Sequence, residues 1–135
     1  MSDLYDAGVE AFLSGNLSWT TDEIRALLID VADYTVDLNG DRVLDDIPAG
    51  AIVAVSDPLT GKSATDGAAD CADYKFEEVS GDPCEAVVYY HHTGNAETST
   101  LIAYFDDSFG LPVTPNGGDI NVKIDHNGPN KLFHL

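Results

Sequence analysis

Apolar positions recur at helical spacing near the start of this chain. Past Asp46 they come in short runs broken by Gly, Pro, Asn and Asp. Tyr5, Val9 and Phe12 fall at i, i+4 and i+7, which predicts a short helix over residues 3–14 that buries one stripe against another element. Ser2 or Asp3 can cap its start, and Gly15 stands where it would end. Residues 24–31 read two ways. Thr20 and Glu23 have capping-box spacing, and Ile24, Leu27, Leu28 and Val31 would form a helical face. The same run has the length and continuity of a buried strand.

Residues 51–55 follow a Pro-Gly turn at 48–50 and predict a strand, as do 59–64 and 74–79. The strongest strand signals are 85–92 (EAVVYYHH) and 99–105 (STLIAYF), joined by a hairpin-like connection around Gly94 and Asn95. Both are apolar on both faces, as in a central strand or one at an interface. Residues 119–125 alternate, with Ile120, Val122 and Ile124 on one face and Asn121 and Lys123 on the other. The terminal KLFHL predicts an end pinned in a sheet or against a partner. The whole predicts a mainly β fold: a single β-sandwich or barrel-like domain over residues 1–135 with a short N-terminal helix.

Charge changes the picture of the surface. The chain has 24 Asp plus Glu against 6 Lys plus Arg, a formal net charge of -18 in 135 residues. A hydrophobic content of 44% and dispersed acids argue against a disordered acidic tail. A chain of this length buries about two thirds of its unfolded surface without a metal or disulfide. Such a surface repels itself until salt shortens the Debye length from about 8 Å at physiological strength to about 3 Å at 1 M. The composition therefore predicts a high-salt setting, such as a haloarchaeal cytoplasm or brine. The six cations, Arg25, Arg42, Lys62, Lys75, Lys123 and Lys131, are scattered, which disfavours nucleic acid and anionic membranes as partners. No apolar run approaches the roughly 20 residues of a membrane span, and the acidic start lacks the basic region of an export signal.

Candidate chemistry is sparse. Asp37, Asn39, Asp41 and Asp45 alternate oxygen ligands as in a calcium-binding EF-hand loop. Arg42, however, stands at the sharp-turn glycine position and Pro48 at that of the bidentate glutamate. A solvated acidic turn is the simpler reading. Cys71 and Cys84 fit neither a CxxC pair nor a four-ligand zinc site; a disulfide, worth about 3 kcal/mol by loop entropy, and two buried thiols both remain open. His91 and His92 are adjacent on a strand and point to opposite faces, while His126 and His134 have no carboxylate at metal-ligand spacing. No nucleophile elbow, phosphate loop, zinc helix or dinucleotide fingerprint occurs, and no catalytic residue is assigned. Asn16-Leu17-Ser18 is a glycosylation sequon in the turn after the first helix.

Residues 5–19 (YDAGVEAFLSGNLSW), 24–37, 46–54 (DIPAGAIVA), 59–62 (LTGK) and 101–135 resemble a family of small structural proteins encoded by tailed viruses of bacteria and archaea. The segments GLPVTPNGGD (110–119) and NGPNKLF (127–133) are the most specific. The resemblance implies a strand at 24–31. It also implies a non-enzymatic virion component attached to the head, with no resident cofactor. The expected role is an external decoration or turret protein: a homo-oligomer that contacts other virion proteins such as the major capsid protein. Negative charge suits the outside of a particle better than a wall facing packaged DNA. Tyr89, Tyr90, Phe105, Leu132, Phe133 and Leu135 are the expected interface residues, with the domain's own core as the alternative for each. A tail, connector or baseplate module is a second expectation. A calcium- or carbohydrate-binding adhesin module using residues 37–46 is a third.

Overall fold

A computed structural model of the chain describes residues 2–128 and 131–134. Its elements, in chain order, are β1 (Ser2–Leu4), α1 (Asp6–Leu13), β2 (Ile24–Ile29), β3 (Ile52–Val55), β4 (Ser63–Thr65), β5 (Ala68–Asp70), β6 (Tyr74–Phe76), β7 (Ala86–His91), β8 (Leu101–Phe105), β9 (Ile120–Val122) and β10 (Phe133–His134). All strand pairings are antiparallel. A five-stranded sheet runs β1-β8-β7-β2-β3, with a three-stranded sheet β10-β5-β4 and a pair β6-β9 beside it. The fold is mainly β with one short helix, and its sheets do not close into a barrel.

The run at 24–31 is a strand over Ile24–Ile29, with Asp30 and Val31 leaving it in a turn, because both faces of that strand are covered by apolar side chains. Ile24, Ala26 and Leu28 enter one core cluster, and Leu27 and Ile29 enter another. A helix would bury one stripe and leave the rest wet. The central neighbour β7 divides likewise, with Val87 and Tyr89 on the first face and Ala86, Val88 and Tyr90 on the second. The first face is roofed by Trp19, Phe76, Val122, Ile124 and Phe133, and the second by Tyr5, Tyr34, Ile47 and Ala51. The central sheet is thus the middle layer of its own domain.

This layering corrects the expected interface. Tyr89, Tyr90, Phe105, Leu132 and Phe133 are all buried within the chain, none more than 6% exposed. Their second face, read as available to neighbours, is covered by segments with little regular structure. Leu135 lies outside the described residues.

The N-terminal helix is shorter than predicted. Residues 2–4 instead pair with β8, Ser2 opposite Phe105 and Leu4 opposite Ala103. The edge of β8 offers these residues backbone partners that a first helical turn lacks. The residue before α1 is Tyr5, with no side-chain cap; the predicted caps Ser2 and Asp3 lie in the strand. Helix α1 turns Ala7 and Gly8 inward. A Cβ on Gly8 would stand 2.8 Å from both the Ile102 Cα and the Leu101 carbonyl oxygen, so the missing side chain is what lets the helix lie on β8. Beyond β1, the same edge is closed by a bridge from Val43 to Thr100 and by the Leu101 amide donating to the Arg42 carbonyl at 3.0 Å. An unpaired sheet edge invites foreign strands, and this one is covered by its own chain.

Candidate functional site

The acidic loop at 37–46 folds its carboxylates onto its own backbone. Asp37 Oδ1 accepts from the Gly40 amide at 3.0 Å. Asp41 Oδ2 accepts from the Tyr34 hydroxyl at 2.6 Å and the Asp37 amide at 3.1 Å. Asp46 Oδ2 accepts from the Arg42 and Val43 amides at 2.7 and 3.1 Å, and these two backbone bonds hold its carboxyl below the usual carboxylate range. Asn39 and Asp45 are exposed. The structure therefore does not assemble Asp37, Asn39, Asp41 and Asp45 as a calcium cage, and among the described residues no group of three or more His, Cys, Asp or Glu is disposed around a metal position. The loop's carboxylates act as turn-formers, accepting from backbone amides of their own loop.

The loop is also anchored in the core. The Tyr34 hydroxyl meets that of Tyr5 at 2.9 Å, so a chain of hydrogen bonds runs from Asp41 to the residue that precedes α1. Burial pushes both phenols well above their ordinary pKa. They act as hydrogen-bonding struts between the loop and the core.

Cys71 and Cys84 are free thiols, so the disulfide alternative gives way to the other. Both sit in the same core cluster. Burial, with Asp70 and Asp73 adding to it, pushes the Cys71 thiol up to about 12. Burial followed by Glu85 pushes Cys84 up to about 11.

The histidines occupy three places. His91 and His92 stand at one end of β7, 3.9 Å from Asp22 and 3.7 Å from Glu23, and His92 Nδ1 is 3.0 Å from the Tyr90 hydroxyl. Arg25 binds Glu23 at 2.8 Å, and Lys62 donates to the Asp22 carbonyl. His126 lies between two aspartates, with Nδ1 at 2.9 Å from Asp70 and Nε2 at 3.0 Å from Asp73. These partners are more than fifty residues away in sequence, beyond what local spacing could reveal. His134 lies over Gly67, its Nε2 3.2 Å from the Asp66 carbonyl.

Beside α1 lies an open apolar concavity of about 420 Å³, floored by Trp19, Ala68, Ala69 and Phe133 and walled by Phe12. The Trp19 ring meets Phe133 edge-on at 5.2 Å, and its Nε1 donates to the Asp70 carbonyl at 3.0 Å. None of the described residues lining this space is ionisable. At the end of the same helix Leu13 is 80% exposed. The signal available in sequence was the uncharged stretch 11–21 in an otherwise acidic chain.

No family model matches the chain, and no curated protein matches it. Among the described residues no helix is long and apolar enough to cross a membrane.

Proposed function

We propose that this chain is a non-enzymatic structural protein of the virion of a tailed virus infecting a haloarchaeon, displayed on the outside of the head as a decoration or turret protein. The observation that carries the reading is where the virion-like stretches fall in the fold. Residues 5–19 supply Tyr5, α1 and Trp19; 24–37 supply β2 and Tyr34; 46–54 supply β3; and 101–135 supply β8, β9 and β10. The resemblance thus takes in β2, β3 and β8 of the five-stranded sheet and leaves out its middle strand β7. It also takes in loops, the largely exposed segment 110–119 and the turn at 59–62 among them.

Charge supports the outer location. A net charge of -18 tolerates brine and is repelled by packaged DNA. The role is passive: a rigid β-module adds contacts across the shell, and closed oligomers of such modules follow the symmetry of their lattice. Quantitative mass spectrometry of purified particles tests it. A copy number on the order of hundreds fits a head lattice, while about six or about twelve moves the protein to a connector or tail tip. Absence from particles overturns the reading.

A further inference from the structure

We propose that two copies of this chain pair by a reciprocal apolar contact, in which Leu13 of each enters the concavity beside Phe12 and Trp19 of the other. The inference deepens the proposed function, because it gives the expected homo-oligomer a surface, and it rests on that reading for its setting. Leu13 is 80% exposed, and Val55 is the other large hydrophobic notably open to water among the described residues. An apolar side chain held out from a helix end is a knob without a hole in its own molecule. The concavity is a hole without a knob. Phe12, the residue before Leu13, forms one of its walls, so knob and hole stand side by side on each copy. A two-fold axis brings such a surface onto itself, so that both contacts form at once.

Charge selects the occupant. Two copies carrying -18 each can approach only where carboxylates do not face carboxylates. Among the described residues the lining of the concavity has no ionisable side chain, and neither has the stretch 11–21 that contains Leu13. A cationic partner would gain most where acids cluster and has nothing to pair with here. A like-charged, apolar-tipped partner has its approach here, and a second copy is such a partner. Screening of the remaining acidic surface and the strengthening of apolar burial by salt act in the same direction, so the pairing is salt-promoted.

Sedimentation equilibrium of the full chain tests this between about 0.15 M and about 1 M NaCl. The expected result is a dimer that tightens at least about tenfold over that range. Leu13→Asp puts a charge on the knob, and Ala64→Arg, at an exposed position on the rim, obstructs the hole. Each variant alone should weaken dimerisation by roughly 100-fold. Mixed, they should recover it, because one intact knob meets one intact hole while Asp and Arg meet at the other. Both sites are exposed, and circular dichroism spectra that match the parent chain verify that the variants fold. A monomer at both salts, a dimer indifferent to both substitutions, a mixture that does not recover, or a monomer carrying a copurified lipid overturns the proposal. A chain that is monomeric but present on particles sinks this inference and leaves the virion role. A dimer of the described kind absent from particles does the reverse.

Discussion

His126 bridges two loops with one ring. Both of its nitrogens face carboxylate oxygens, so both must carry a proton for each contact to be a hydrogen bond. The Asp70 bond, then the Asp73 bond, raise its pKa. Asp73 is itself held low, first by the Ile124 amide and then by His126, with Lys123 adding to the effect. A raised histidine contributes stability that is complete below its unfolded value of about 6.5 and fades as pH climbs through the folded value. A proton-detected titration should place His126 above that unfolded value, and His126→Gln should flatten the fall in melting temperature on the alkaline side. Titration at or below the unfolded value would show that the bridge does not hold the ring charged. The cysteines give a second test at this scale. Thiols with pKa values pushed to about 12 and about 11 hold almost no thiolate near neutrality. Ellman's reagent should therefore react slowly with native protein and release the signal of both cysteines promptly in denaturant. Prompt reaction of the native protein would mean that the core around them opens readily.

Among the elements, α1 and β8 make the closest approach. Gly8 meets the backbone of Leu101 and Ile102, which cannot swing aside as a side chain could. Gly8→Ala would normally stabilise a helix. Here the added methyl should force α1 off the sheet and cost about 1–3 kcal/mol in denaturant unfolding. Gly50, in a short turn with open space around its Cβ position, is the control expected to tolerate the same change. This scale also shows what the sequence could and could not tell. Strands β7 and β8 were legible because their apolar runs are long. The alternating stretch 119–125 was legible because its period is two, and its inward residues Val122 and Ile124 are buried. Strand β5 was missed: Ala68, Ala69 and Asp70 carry little strand propensity and pair with β4 and with β10, which is more than sixty residues away. The interface reading failed for a related reason. A two-sided apolar strand says that two faces must be covered, while its pattern says nothing about what covers them. Here irregular segments carrying Tyr34, Ile47 and Ala51 do so. The acidic loop takes the simpler of its two readings, a turn built on its own amides, because ligand spacing describes sequence whereas cation binding needs oxygens that converge.

At the scale of the molecule, repulsion outnumbers attraction. Six Lys and Arg face 24 Asp and Glu, so at most six acids can be offset one to one by those cations. The pairs that form, such as Arg25–Glu23, Arg42–Glu10 and Lys75–Asp119, are partly or largely exposed, and pairs of that kind contribute little. Adding salt weakens both kinds of interaction, and the larger sum is the repulsive one. Melting temperature should therefore rise as NaCl increases from low ionic strength. The shape of the rise separates two causes. Screening alone levels off once the Debye length, about 3 Å at 1 M, falls below the spacing of neighbouring carboxylates. A further rise beyond that point, steeper in sulfate than in chloride, would come from strengthened burial of the two core layers. Replacing exposed acids, Asp33 and Glu97 for example, with Asn and Gln should raise stability at low salt and change little at high salt. If the melting temperature ignored salt, or those neutral variants lost stability at low ionic strength, the acidic surface would not be the destabilising term, and the inference of a high-salt setting would lose its physical basis.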